Sequence, residues 1–285
     1  MCTRLAMVHT SGALRRGKLM TVDPKLGPAA GGPGATVSAQ PDMTPPRHPL
    51  TKLALFLDLD GTLAPIANTP NQACVPSTTL VLLRHLHNAC NGAVAIISGR
   101  DAPDIDRMLS PLTLPCAALH GAHVRNTQGQ VKRVAIDHDA LTGIASALAR
   151  DAASMPGTLL ERKALSVAFH YRNAPHLAAQ VQASVLRALA HHGHSFDLQK
   201  GKMVVEIKPR GVSKGTAVSA FMSTPPFSGR MALMAGDDLT DESAFAAVNA
   251  MDGITIKIGG GPTQARSRLP NPEALRAWLA SLPSA

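Results

Sequence analysis

The sequence predicts an α/β fold with a mostly parallel sheet, helices on both faces of that sheet, and an α+β segment inserted into it. Three observations support this prediction. Short apolar runs alternate with helical stretches between residues 52 and 121, and the same alternation returns after residue 213. The stretch between these regions instead combines two long helical segments with strand-like segments. Alternation of strand and helix is typical of open parallel sheets.

The chain begins with a segment of different composition. Residues 1–48 are rich in Gly, Pro, Ala and Ser and show no sustained period of 2 or 3.6 residues. Such a segment cannot bury enough apolar surface to offset the entropy of ordering. We therefore expect a disordered tail and assign no function to it.

Ordered structure is expected from Lys52, where LALFLDLD forms a nearly continuous apolar run that ends in acidic residues. A run of this kind is typical of a strand buried on both faces of a parallel sheet, with its carboxylates emerging at the carboxyl end. The following elements alternate as helix and strand. They are a helix over 77–89, the strand AVAIIS ending at Ser98, a helix over 103–109, and the run CAALHG over 116–121.

The second half of the sheet follows the insert, which we place at 124–207 because RKALSVAFHYR and KMVVEIKP flank a long helical stretch. Helices are expected inside the insert over about 139–153 and 174–191. Residues 49–123 and 208–285 then form the sheet domain. Its later elements are a helix from about 213, the strand MALMAGDD, a helix from 240, the strand ITIKIGG and a last helix from 271.

Composition excludes several classes of function. The formal charge is +9, but residues 1–49 alone hold six Lys or Arg against two Asp, so the remainder is only mildly basic. Aromatic residues are 3% of the chain, too few for a surface that stacks bases, and no nucleic-acid partner is expected. The four cysteines are scattered, and no apolar run is long enough to span a membrane. These features predict a cytoplasmic protein with no membrane partner.

The segment DLDGT contains the first chemically distinctive residues. Asp58 and Asp60 are two apart, so their side chains lean to one side while Leu59 turns to the other, and Gly61 allows a sharp turn. Asp58 is a candidate carboxylate nucleophile. Asp60 is a candidate acid that protonates a leaving oxygen and then activates water.

A second acidic segment, GDDLTDE, supplies Asp237, Asp238 and Asp241. Mg²⁺ prefers oxygen ligands from a few carboxylates together with water and phosphate, so the sequence predicts a magnesium site. The predicted ligands are Asp58, Asp60 through its backbone carbonyl, Asp237 and Asp238. Two other residues would stabilise transition-state charge, since Lys214 in GVSKG can neutralise it and Ser98 in ISGR can donate a hydrogen bond to a phosphate oxygen.

The segments FLDLDGT, IISGR, GVSKG and GDDLTDE, in this order, resemble the four motifs of the haloacid-dehalogenase-like phosphohydrolases. The resemblance implies a Rossmann-like core. Two segments of the insert narrow the resemblance to one family. These segments, LERKALSVAFHYR and KGKMVVEIKP, resemble the insert of the trehalose-6-phosphate phosphatases, and in that family the insert is a cap that closes over the sugar. The sequence departs from that family at HGAH, where His123 stands in place of the usual Glu.

This resemblance implies a magnesium-dependent enzyme whose partner is a small sugar phosphate. We expect the protein to be a monomer. Gly121 and residues 208–211 are the expected hinges of the cap. Contacts to the substrate are implied for Asp58, Leu59, Asp60, Gly99, Arg100, Glu161, Lys163, His170, Arg172, Lys202 and Glu206. Two alternatives stay open at this point: a related phosphatase acting on sucrose 6-phosphate or a mannosyl phosphate ester, and a catalytically silent sugar-phosphate sensor.

Overall fold

The computed structural model describes residues 44–67, 72–192, 195–201 and 203–284, which belong to one compact unit. The predicted tail over 1–48 lies outside these residues except for its last five positions. None of the helices in the described ranges is long and apolar enough to cross a membrane.

Eight strands form a large sheet in the order β12-β11-β10-β1-β2-β3-β4-β5. Neighbours pair in parallel from β12 to β3, and the last two strands are antiparallel. This arrangement confirms the predicted α/β class with a mostly parallel sheet. The strands are β1 (Leu53–Leu57), β2 (Val94–Ile97), β3 (Cys116–Ala118), β4 (His123–Arg125), β5 (Val131–Arg133), β10 (Met231–Gly236), β11 (Ile254–Ile258) and β12 (Ser267–Leu269).

A small antiparallel sheet of four strands, in the order β6-β7-β9-β8, lies in the middle of the chain. One of its faces packs on two helices through an apolar core of its own that includes Ile144, Phe169 and Val181. The elements are β6 (Leu159–Arg162), β7 (Val167–His170), β8 (Phe196–Gly201), β9 (Val204–Pro209), α3 (His138–Ala152) and α4 (Ala178–His192).

Five further helices accompany the large sheet, and their ends follow from local sequence. Asp101 accepts a hydrogen bond from the backbone N–H of Asp104 and caps one helix, while Ser213 caps another by accepting from Thr216. These helices are α1 (Ser77–Ala89), α2 (Ala102–Leu109), α5 (Lys214–Met222), α6 (Glu242–Ala250) and α7 (Pro272–Ala280).

The core of the large sheet is built by the central strands. All residues of β1, β2 and β11 are buried, as the continuous apolar runs predict. Phe56 of β1 packs on Phe221 and Phe227, with ring centroids 6.0 and 5.5 Å away. This packing fixes the carboxyl end of β1, where the DLDGT segment begins.

The structure differs from the sequence prediction at the boundary of the insert. Residues 123–133 form the β4–β5 hairpin, which extends the large sheet, although the sequence analysis assigns residues from 124 onward to the insert. In addition, β3 ends at Ala118, earlier than the predicted run to 121. The strand stops there because Leu119 and His120 adopt positive φ angles of 50° and 58°, which no strand accommodates.

Candidate active site

Asp58 directly follows β1 at the carboxyl edge of the large sheet and is buried. Thr62 donates a hydrogen bond to one carboxylate oxygen of Asp58 over 3.2 Å, and Lys214 donates to the other over 2.7 Å. The turn after Asp58 brings the hydroxyl of Thr62 close to this carboxylate. The structure therefore places the predicted nucleophile at the edge where ligands bind in open α/β sheets.

Lys214 joins Asp58 to a second buried carboxylate. Its ammonium group donates to Asp58 and to Asp241, each over 2.7 Å, and all three side chains are nearly inaccessible to solvent. Burial alone would lower the pKa of Lys214, but the charges of Asp241 and Asp58 raise it above its ordinary value. Lys214 is therefore a permanent cation at this position.

Three carboxylates meet beside Lys214 and define the acidic cluster of Asp58, Asp237 and Asp241. One oxygen from each lies within 4.8 Å of the others. Oxygen donors of this charge and spacing fit a hard divalent cation. Gly61 is required for this approach, because a β-carbon there would lie 2.2 Å from a carboxylate oxygen of Asp237, and its φ of +76° also favours glycine.

The electrostatics of the acidic cluster favour a cation. Burial raises the pKa of Asp58 well above its ordinary value, and the nearby charge of Asp241 adds to this effect. The pKa of Asp237 rises to about 6 through burial and the charges of Asp241 and Asp238. A bound cation would offset both effects and keep Asp58 ionised.

The acidic cluster differs from the predicted metal ligands. Asp241 belongs to it, although the sequence analysis names it only as part of its motif. Asp238 is exposed, and its backbone N–H donates to Asp241 over 2.9 Å, so its carboxylate lies outside the cluster. The contact predicted for Asp60 is through its backbone carbonyl, so the position of its side chain, which faces Arg100, leaves that contact a prediction.

Asp60 and Arg100 form a bidentate ion pair. Nε and Nη2 of Arg100 donate to the two oxygens of Asp60 over 2.6 and 2.8 Å, and Nη1 donates to Asp104 over 3.3 Å. The side chain of Asp60 is 40% exposed and that of Arg100 is 10% exposed. The carboxylate of Asp60 is thus within reach of solvent, whereas the guanidinium of Arg100 is largely covered.

The ISGR segment, Ile97–Arg100, runs along the same edge. The hydroxyl oxygen of Ser98 accepts a hydrogen bond from the backbone N–H of Arg100 over 3.1 Å. Gly99 packs against the ring of His120, since a β-carbon on Gly99 would lie 2.6 Å from Cε1 of that ring. By contrast, Leu59 is fully buried in the core, so its side chain has no access to a substrate.

The predicted sugar contacts share one face of the small sheet. Glu161 and Glu206 both pair with Ala168, and Lys163 and His170 continue the same face at alternate positions. Arg172 is exposed in the turn after β7, and Lys202 lies outside the described residues. We call this surface the polar face. The opposite face carries the apolar core of the small sheet.

Two interactions organise the polar face. His170 Nε2 lies 2.9 Å from a carboxylate oxygen of Glu161. Glu206 accepts hydrogen bonds from Ser166 over 2.6 Å and from Lys163 over 3.3 Å. Burial would raise the pKa of Glu206, but the contacts with His120, Lys163 and Ser166 lower it far below its ordinary value, so the buried carboxylate is ionised.

Two residues near the site were missed by sequence reasoning. His120 is buried, and its Nε2 lies 3.7 Å from the carboxylate of Glu206. Lys257 is a buried lysine in β11 that donates to the backbone carbonyl of Asp237. The available signals were the HGAH segment after a strand and a lone lysine in the apolar run ITIKI. His123, the departure noted above, lies in β4 opposite Ala118.

A buried aspartate, a fixed lysine and an acidic cluster lie at the carboxyl edge of the parallel sheet, as the resemblance to the haloacid-dehalogenase-like hydrolases implies. A solved structure described as a haloacid dehalogenase-like hydrolase from B. subtilis shares the fold, with a TM-score of 0.57 at 16% identity over 81% of this chain and 99% of the other.

Sequence comparison narrows this class to one family. The model of the trehalose-phosphatase family matches residues 56–273. The trehalose-6-phosphate phosphatase of Escherichia coli K12 is 42% identical over 234 residues, covering 82% of this chain and 88% of the relative. The solved structure of a trehalose-6-phosphate phosphatase related protein is 30% identical, with a TM-score of 0.64 over 80% of this chain and 95% of the other. The chain belongs to the trehalose-phosphatase family.

Proposed function

We propose that this protein hydrolyses trehalose 6-phosphate to trehalose and inorganic phosphate, using Mg²⁺ and a phosphorylated intermediate on Asp58. The observation that carries the proposal is the pairing of Asp58 with Lys214 and Asp241 at the sheet edge, in a chain of the trehalose-phosphatase family. The polar face of the small sheet supports a hydroxyl-rich substrate, because its charged groups suit hydrogen bonds to sugar hydroxyls.

Asp58 starts the reaction as the nucleophile. One of its carboxylate oxygens forms a bond to phosphorus, and the bond from phosphorus to the sugar oxygen breaks. Lys214 holds the other oxygen of Asp58 and so aims the attacking one. The hydroxyl of Ser98 would donate a hydrogen bond to a phosphoryl oxygen, whose charge it would stabilise.

Asp60 moves the protons of the two steps. In the first step it gives a proton to the departing sugar oxygen. In the second step it takes a proton from water, whose oxygen attacks phosphorus and breaks the bond to Asp58, which releases phosphate. In the structure, Arg100 holds both carboxylate oxygens of Asp60. We expect the substrate phosphate to draw Arg100 toward itself, which frees the carboxylate of Asp60 to face the departing oxygen.

Magnesium fits the acidic cluster. Asp58 and Asp237 would hold it, with Asp241 beside them, and Lys214 binds one oxygen of Asp58 and one of Asp241. When bound, the ion neutralises phosphoryl charge and polarises the phosphorus for attack. The chain's own residues prepare this site, since Gly61 leaves room for the carboxylate of Asp237.

We assign the insert the role of a cap. Residues 124–207, or more closely the small sheet with α3 and α4, would close the polar face over the sugar and exclude bulk water from the first step. A monomeric state and a cytoplasmic location remain predictions from the sequence.

The test is phosphate release from trehalose 6-phosphate compared with sucrose 6-phosphate, mannose phosphates and glucose 6-phosphate, each with and without Mg²⁺. We expect strong preference for trehalose 6-phosphate, dependence on the metal, and loss of turnover in Asp58→Asn. Preference for another sugar phosphate would contradict the substrate assignment. Absence of turnover of every ester would favour a silent sensor.

A further inference from the structure

His120 lies between the two sheets in a left-handed backbone conformation. It belongs to the short 3₁₀ helix Leu119–Gly121 and has φ 58° and ψ 21°, a region that histidine adopts more often than most residues other than glycine do. Its backbone N–H donates to the carbonyl of Ser98 over 2.9 Å, and that of Leu119 donates to Arg100 over the same distance. The segment is therefore tied to the ISGR segment by two hydrogen bonds.

The imidazole ring of His120 touches both halves of the proposed site. Toward the large sheet it packs on Gly99, where a β-carbon would lie 2.6 Å from Cε1 and 2.7 Å from Nε2. Toward the small sheet Nε2 lies 3.7 Å from a carboxylate oxygen of Glu206. Glycine at position 99 is thus required for the ring to take this place.

The protonation of the ring follows from its neighbours. Burial lowers the pKa of His120, an effect that the nearby charge of Lys214 reinforces and the contact with Glu206 opposes, so the ring is neutral near neutral pH. The negative charge of Glu206, 3.7 Å from Nε2, favours the tautomer that carries the single N–H of the neutral ring on Nε2. Nδ1 is then an acceptor, and it is buried without a hydrogen-bond partner among the residues the structure describes.

Glu206 depends on His120 for one of its restraints. Ser166 and Lys163 hold one of its carboxylate oxygens from within the small sheet, whereas His120 faces the other oxygen from the large sheet. A carboxylate held from both sides cannot turn without losing a contact. The ring of His120 therefore helps to set the distance between the ISGR segment, at the phosphate end of the site, and Glu206, at the sugar end.

We propose that His120 is a positioning residue that holds the Glu206 carboxylate in register with the ISGR segment, and so sets the preference for sugar phosphates over small phosphate esters. The inference rests on the proposed function of the site. It assigns His120 no part in the chemistry at phosphorus.

The test compares His120→Gly with His120→Asn, using trehalose 6-phosphate and p-nitrophenyl phosphate as substrates. Glycine tolerates the left-handed backbone but removes the ring, whereas asparagine tolerates the same backbone and keeps an N–H donor. For His120→Gly we expect kcat/KM for trehalose 6-phosphate to fall about tenfold or more, through KM, with little change for p-nitrophenyl phosphate. His120→Asn should recover part of the loss.

Leu119→Gly is the matched control, because it adds the same backbone freedom at the neighbouring left-handed residue without removing the ring. It should leave the ratio of the two kcat/KM values unchanged. In a Glu206→Gln background, His120→Gly should cause little further loss, since the two residues act through one contact.

Equal losses on both substrates, no recovery with asparagine, or additive effects of the His120 and Glu206 changes would overturn the inference and leave His120 a structural residue. Failure of the proposed function is distinguishable from this. If the wild-type protein prefers another sugar phosphate, the same ratio measured with that sugar still decides the role of His120.

Discussion

Replacing Lys214 with methionine tests the electrostatic account of the acidic cluster. The change removes the ammonium group that donates to Asp58 and Asp241 over 2.7 Å each, in a site that solvent barely reaches. Deleting one partner of a buried ion pair typically costs about 3–5 kcal/mol. The remaining carboxylates also repel one another. Two ionised carboxylates whose oxygens are 4.8 Å apart, the upper limit in this cluster, repel each other by roughly 3 kcal/mol at an effective dielectric of about 20.

Two further outcomes distinguish this account from a simple loss of packing. The free energy of unfolding of Lys214→Met without metal should fall more at about pH 8 than at about pH 5, because protonation of Asp58 relieves the repulsion at lower pH. Added Mg²⁺ should stabilise the variant more than the wild type, since the site has lost a competing positive charge. Urea denaturation with and without Mg²⁺ measures both quantities.

The matched control is Lys208→Met. Lys208 is also a buried lysine, but it donates to the backbone carbonyl of Val212, and no carboxylate among the described residues forms an ion pair with it. Its replacement should cost about 1–3 kcal/mol, and Mg²⁺ should not restore that loss. If Mg²⁺ stabilised wild type and Lys214→Met equally, or stabilised Lys208→Met as strongly as Lys214→Met, the reasoning would be refuted.

Three further predictions follow from the same geometry. Gly61→Ala should abolish turnover because its β-carbon meets Asp237, whereas Gly129→Ala, at the same φ of +76° but with open space around it, should leave kcat/KM unchanged. Asp60→Asn should lower kcat by about 10²–10⁴ without weakening Mg²⁺ binding measured by calorimetry, because its carboxylate faces away from the acidic cluster. Glu206 has a depressed pKa, so its stabilising contribution is present above its ordinary value of 4.5 and lost as pH falls below it. Glu206→Gln should therefore be less stable than wild type at neutral pH and lose less stability on acidification, as measured by urea denaturation at several pH values.

Sequence reasoning predicted the centre of the fold well, because local pattern and tertiary environment agree there. The run that became β1 is buried along its whole length, and α1 spans the residues expected for it. Prediction failed at the edges of the large sheet. The β4–β5 hairpin was assigned to the insert, and β12 was not predicted, since a three-residue strand carries little periodicity.

The candidate site shows a similar division. Spacing within DLDGT predicts that the side chains of Asp58 and Asp60 lean to one side, but this local pattern does not reveal that Asp60 pairs with Arg100, 40 positions away. The sequence analysis also named Asp238 rather than Asp241 as a metal ligand. The choice between them depends on the turn that brings Asp241 toward Lys214, which the sequence pattern does not show. The contact of His120 with Glu206 joins distant segments and has no local signal in the sequence.

The most direct test of the central claim is to quench the protein with acid during turnover of trehalose 6-phosphate and Mg²⁺, and to map phosphorylation by mass spectrometry. The account predicts a phosphoryl group on Asp58 that is absent in Asp58→Asn and in samples without metal. Rapid release of phosphate from trehalose 6-phosphate with Asp58 unmodified at every quench time, or with the phosphoryl group on another residue, would contradict it.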